Sequence, residues 1–142
     1  MQDIHGYYLE DLEIGMSDSY AKTISESDVY LFAGISGDNN PVHINEEYAQ
    51  TTMFKKRIVH GMLSAALIST VAGTRLPGPG CIYIDQSMKF KAPVYIGDTV
   101  KATLTITDID QQKRRVKART DVTVGETLVA TGEATFMVDR RG

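Results

Sequence analysis

The sequence predicts an α+β fold in which one long antiparallel sheet wraps a buried helix. Three observations predict it. Residues 61 to 73, GMLSAALISTVAG, are apolar on nearly every helical face, and a helix without a polar face has to be surrounded by protein. From Ile82 onward apolar and polar residues alternate with period two, as in an antiparallel sheet covered on one side. No repeat, low-complexity stretch or linker divides the 142 residues, so residues 1–142 read as one domain with a single moderate core.

Residues 18 to 24 (DSYAKTI) suit an opening strand. Ser25 and Asp28 follow in an S-x-x-D capping pattern, with Ile24 and Val29 placed as a hydrophobic staple. The pattern starts a helix through Val29, Phe32 and Ala33 that stops near Gly34 to Gly37. A polar loop, SGDNNPVH at 36–43, comes next. Asn45 then caps a short helix whose first turn holds Glu46 and Glu47, where the helix dipole favours acids. The apolar helix after His60 is about 20 Å long, too short to cross a bilayer. One sheet face is expected to carry Ile82, Ile84, Met88, Phe90, Val100, Ala102, Leu104 and Ile106. Val116, Ala118, Val122, Val124, Leu128, Ala130, Ala134, Phe136 and Val138 continue it, with turns at Asp110-Gln111-Gln112 and Gly125-Glu126.

Composition narrows the function classes. Hydrophobic residues make up 42% and charged residues 23%, an ordinary globular balance. A net charge of −3 supports neither a nucleic-acid nor an anionic-membrane partner. Cys81 is the only cysteine, which excludes intrachain disulfides and thiolate metal clusters; it reads as a small buried apolar residue. MQDIHGYYLEDLEIG lacks the apolar segment of a secretory signal, and no apolar run reaches the length of a membrane span. A soluble, cytoplasmic protein is expected. Glycine-rich nucleotide-phosphate loops are absent.

Proton-transfer candidates are few. Histidines stand at 5, 43 and 60. Asp38 and His43 flank a segment whose path Gly37 and Pro41 restrict, so a carboxylate and an imidazole can converge on one water. Asn40 can add an orienting hydrogen bond. Composition alone favours an Asx-turn with a surface histidine. His60-Gly61 precedes the apolar helix, whose first N–H groups have no intrahelical partner and suit an oxyanion, although tight packing alone also explains a glycine there. Ser69 follows eight residues later, near the Gly61 face of the helix, or bonds a carbonyl one turn back. The basic clusters Lys55-Lys56-Arg57 and Lys113 to Arg119 suit a solvated face, with a phosphate-bearing ligand as the alternative for the second.

These residues resemble a known family. FAGISGDNNPVH (32–43), with Ala49 six residues on, is similar to the signature of the MaoC-like (R)-specific enoyl-CoA hydratases. RIVHGML (57–63), LPGPG (76–80), SMKFKAPVYIGDTV (87–100) and TGEATFMV (131–138) extend the resemblance over nearly the whole chain, in order.

The resemblance implies a hot dog fold, with Asp38 and His43 as the catalytic pair and Asn40 as a supporting polar group. It implies that Gly61 donates the oxyanion N–H and that Ser69 is a helix serine near the catalytic aspartate, with His60 in support. The implied reaction is hydration of a trans-2-enoyl-CoA to an (R)-3-hydroxyacyl-CoA, or its reverse. Acyl-CoA is then substrate, and no metal or redox cofactor is expected. Alternatives are a carrier-protein dehydratase of fatty acid synthesis, a hot dog thioesterase and a non-catalytic acyl-CoA-binding domain. The apolar helix and the unprotected sheet edges together predict a homodimer or higher homo-oligomer.

Overall fold

The computed structural model describes residues 4–142. A short 3₁₀ turn (Leu9–Asp11) leads into strand β1 (Ser17–Thr23) and helix α1 (Glu26–Ser36). Two short helices follow, α2 (Pro41–Ile44) and α3 (Glu46–Gln50), then the long helix α4 (Gly61–Thr74). The rest is sheet: β2 (Ile82–Gln86), β3 (Lys89–Phe90), β4 (Thr99–Asp110), β5 (Arg115–Val124) and β6 (Thr127–Met137). All strands are antiparallel, in the order β1-β4-β5-β6-β2, with β3 also paired to β6. This is the hot dog arrangement: the inner sheet face closes around α4.

The local signals act as the sequence predicts. Ser25 Oγ accepts from the Asp28 N–H and Asp28 accepts from the Ser25 N–H, the reciprocal capping box. Gly37 ends α1 in the left-handed conformation, φ 79°, which a residue without Cβ adopts at no steric cost. Asn45 Oδ1 accepts from Tyr48 N–H and starts α3.

The core is one cluster in which Leu63, Leu67, Ile68 and Val71 of α4 meet Val100, Ala102, Leu104, Val116, Ala118, Val122 and Phe136 of the sheet. Alanines at 102, 118, 130 and 134 are fully buried, so the sheet approaches the helix closely.

Three expectations need correction. Residues 41–44 are helical rather than loop, because Asn40 caps them and Pro41 occupies the first helical position, where its missing N–H costs nothing. The strict alternation fails in β6: a bulge opposite Val122/Thr123 shifts the register, so Val129 and Ala130 are both buried while Leu128 faces out. The expected inner face also fails at Ile82 and Ile84 of β2 and at Phe90 of β3, all exposed, because both strands pair only with β6 at the edge of the sheet. Likewise α4 is not covered all round: Met62 is 62% exposed, and Ala66, Ser69 and Gly73 share its open side.

Candidate active site

The first half of the site is built on the segment after α1. Past Gly37, the Asp38 N–H donates to Ser36 Oγ at 3.1 Å, and Asp38 Oδ1 accepts from the Asn40 N–H at 3.3 Å. The Asx-turn that the residues alone allow therefore exists, and it fixes the carboxylate in an exposed position. Asn40 bonds neither candidate acid nor base through its oxygen; Oδ1 accepts from the Val42 N–H at 3.2 Å and caps α2. Its work is to set the helix that carries His43.

His43 is 7% exposed, not the surface residue that composition alone allows. Nδ1 lies 2.8 Å from the Ile58 carbonyl oxygen, so Nδ1 carries the proton and Nε2 is the acceptor in the neutral ring. Burial pulls the imidazole below its ordinary value of 6.5. The Ile58 carbonyl and Asp38 act in the opposite direction, while neighbouring His60 adds to the lowering.

His60 is 1% exposed and stacks on His43, with ring centroids 3.9 Å apart. Its Nε2 donates to the Asp38 carbonyl oxygen at 3.0 Å, and Phe32 packs against its other side at 4.8 Å. One residue thus joins the Asp38 turn, the His43 ring and the start of α4. Arg57 ties the surrounding helices by bonds to Glu26 at 2.6 Å, Tyr30 at 3.0 Å and Glu46 at 3.1 Å. It is therefore committed to structure, as is Lys56, whose ammonium sits 4.5 Å over the Tyr95 ring.

Gly61 opens α4, and as the first helical residue its N–H has no acceptor in the helix. It lines a cavity of about 510 Å³ together with Asp38, Ser64, Met62, Phe90 and Val129. The walls are otherwise almost wholly apolar, the usual character of a small-molecule site. A Cβ built on Gly61 would lie 2.8 Å from Cε1 of Phe90, so the aromatic ring rests directly on the glycine.

The structure thus brings together Asp38, His43, His60 and Gly61. It does not bring Ser69 to them within the chain. Eight residues leave Ser69 about 80° around the helix from Gly61, on the exposed side of α4 and outside the cavity. Ser64, three residues after Gly61, lines the cavity instead, and sequence reasoning missed it. The i, i+3 relationship to Gly61 was the available signal. Phe90, expected on the sheet's covered face, was misplaced for the reason given above.

Asp38, His43 and His60 each offer one ligand atom within 4.8 Å of the other two, the one such group among the described residues. Two of the four ring nitrogens already face carbonyl oxygens, so the cluster is better suited to moving protons than to enclosing a cation. The distance also suits one water bridging the acid and a base. An apolar cavity lined by Asp38 and the first residue of α4, with the buried His43 imidazole within 4.8 Å of that carboxylate, defines a hot dog protein equipped for acid–base chemistry on a carbonyl compound.

The comparisons with known proteins give the family. Residues 13–130 match the MaoC like domain. The chain is 62% identical to an (R)-specific enoyl-CoA hydratase of Rhodospirillum rubrum, over 99% of this chain and 97% of that one. It is 43% identical to a 3-hydroxybutyryl-CoA dehydratase of Methylorubrum extorquens, covering 99% and 90%. Among solved structures, the unliganded R-hydratase PhaJ1 from Pseudomonas aeruginosa superposes with a TM-score of 0.90 at 44% identity, covering 96% of this chain and 88% of that one. The chain belongs to the MaoC-like family.

Proposed function

We propose that this protein is an (R)-specific enoyl-CoA hydratase, a hydro-lyase that adds water across the double bond of a trans-2-enoyl-CoA. The observation that carries the reading is an apolar cavity lined by both Asp38 and the Gly61 start of α4, with the His43 imidazole within 4.8 Å of the Asp38 carboxylate. The names carried by the 62% and 43% identical relatives support it over a carrier-protein dehydratase or a thioesterase.

Asp38 and His43 hold one water against C3 of the substrate. Its oxygen bonds to C3, the electron pair of the double bond moves toward the thioester, and negative charge grows on the carbonyl oxygen. The Gly61 N–H meets that charge with little reorganisation. One water proton is taken up by the pair, and a proton from the pair reaches C2 on the same face. Water addition changes no net oxidation state, so the step calls for no redox cofactor.

The working form is a homodimer in this reading. Exposed Ile82, Tyr83 and Ile84 on the edge strand β2, and the open side of α4, are apolar surfaces that a second copy would cover. That arrangement also reconciles Ser69 with the family pattern: a serine exposed on its own chain supports a catalytic aspartate only if it reaches the one in a partner. The direct test is turnover of crotonyl-CoA, followed by loss of the enoyl-thioester absorbance, with chiral analysis of the product. Hydration to the (R)-3-hydroxy thioester is expected. Release of free thiol without hydration would make the protein a thioesterase, and absence of any turnover would leave a binding domain.

A further inference from the structure

Among the described residues, two buried side-chain polar atoms have no hydrogen-bond partner: His60 Nδ1 and Ser64 Oγ. Both belong to the first turn of α4, one on each side of Gly61. Ser64 is 3% exposed and lines the cavity, whose surroundings are otherwise apolar apart from Asp38, Lys91 and backbone.

A buried helical serine ordinarily donates to the carbonyl one turn back. Elsewhere in this chain that bond is made: Ser36 Oγ donates to the Phe32 carbonyl, and Thr74 Oγ1 to that of Thr70, both at 2.6 Å. Ser64 does not make it. The His60 carbonyl that would receive it accepts the Leu63 and Ser64 N–H groups, at 3.0 and 3.3 Å. A buried hydroxyl left unpaired is costly, so its presence here points to a partner that arrives with a ligand.

Geometry says which part of a ligand. Residues i and i+3 lie on one helix face, and side chains lean toward the helix N-terminus. Position 64 shares the helix face that Gly61 opens, over which the half-exposed Phe90 ring now lies and from which it can swing aside. An oxygen bound to the Gly61 N–H is the natural acceptor for the Ser64 hydroxyl.

We propose that Ser64 is a further catalytic residue: its hydroxyl donates a second hydrogen bond to the thioester carbonyl oxygen, completing with the Gly61 N–H a two-donor oxyanion site. The inference rests on the hydratase reading for its reaction, but its signature is polarisation of a bound thioester carbonyl, which needs no turnover.

The test is Ser64→Ala, with Ser64→Thr as the variant that keeps a hydroxyl. With crotonyl-CoA, Ser64→Ala is expected to lose roughly 10- to 100-fold in kcat and in kcat/KM alike, because the bond strengthens only as charge develops. Ser64→Thr is expected to recover most of that loss. The absorbance of a bound 2,4-dienoyl-CoA should shift to the red on wild-type protein and less so on Ser64→Ala. Tm should be unchanged or higher in Ser64→Ala, since an unpartnered hydroxyl is being removed. Three results would each overturn the proposal: kcat within twofold of wild type; a loss confined to KM with the red shift intact, which would make Ser64 only a wall of the pocket; or a marked fall in Tm, which would give the hydroxyl a structural partner such as His60 Nδ1. If wild-type protein shifts the dienoyl absorbance yet hydrates nothing, the hydratase reading fails while the oxyanion site stands.

Discussion

His43 and His60 stack with their centroids 3.9 Å apart and their planes inclined by 28°. Each ring uses one nitrogen on a backbone carbonyl, Ile58 for His43 and Asp38 for His60. A proton added to His43 would therefore enter a buried ring that already faces a second imidazole. The pair favours a neutral His43.

The pH profile follows from that geometry. Burial, with His60 adding to it, lowers the His43 value below 6.5, so neutral imidazole predominates throughout the neutral range. If kcat/KM requires the neutral ring, activity should be flat through neutrality and fall on an acid limb below pH 6.5. The sign for stability is the same. A depressed value contributes stability that is fully present above 6.5, and it is lost as pH falls through the folded-state value, because the unfolded chain binds the proton more readily. Rate profiles with crotonyl-CoA and Tm over the same pH range check both; an acid limb centred above 6.5 would contradict the assignment.

Asp38→Asn and His43→Ala should each cost 100-fold or more in turnover, the usual effect of removing a positioned acid or base. Their stabilities should differ. Asp38 is exposed, so Asp38→Asn should keep its Tm. His43 is buried, stacked and bonded to Ile58, so His43→Ala should lose about 1–3 kcal/mol. Thermal melts beside single-turnover assays separate the two effects, and near-normal turnover in either variant removes the pair.

Much of this site was legible in the chain, and the residues that were not have local reasons. The capping box at Ser25, the stop at Gly37 and the start of α4 depend on near neighbours, so sequence carries them well. SGDNNPVH announced polar chemistry, but the burial of His43 did not follow from it. That burial needs Ile58 and His60, which lie 15 and 17 positions away. Leu128 was placed on the covered face, and Val129 left off it, because one bulge in β6 resets a period-two pattern. Ile82, Ile84 and Phe90 look like core from their hydrophobicity, and alternation says nothing about whether a strand lies at an edge.

The ring of Phe90 makes Gly61 a sharper test site than its size suggests. Gly61→Ala is not a minimal change, since the new methyl would lie 2.8 Å from Phe90 Cε1. Phe90 is 52% exposed, so the ring can swing aside, and the fold should survive. Gly61→Pro adds the same Cβ and also removes the N–H. Proline is tolerated at a first helical position, and His60, at φ −55° and ψ 130°, already has the extended backbone that a following proline requires. Both variants should fold, with Tm close to wild type. Gly61→Ala should retain measurable hydration, improved by a second change, Phe90→Leu, whereas Gly61→Pro should retain none. Equal activity in the alanine and proline variants would show that the N–H takes no part.

Assembly is tested at the sheet edge. Ile82, Tyr83 and Ile84 leave largely apolar side chains on β2 in solvent, and Met62 and Ala66 do the same on α4, beside exposed Ser69. An isolated chain gains nothing from either surface, and an unprotected edge strand invites pairing. Joined about a twofold axis, two copies would bury both surfaces at once, and each contact would occur twice. Light scattering should therefore report at least twice the 15.6 kDa chain mass. Replacing Ile82 and Ile84 together by lysine puts like charges near the axis from both copies and should shift the protein toward monomer. Neither residue lines the cavity, so an active site complete within one chain would keep its turnover through that change. If Ser69 of the second copy is needed, activity should fall in step with the dimer fraction on dilution. A fully active monomer would remove both the dimer and the supporting role of Ser69.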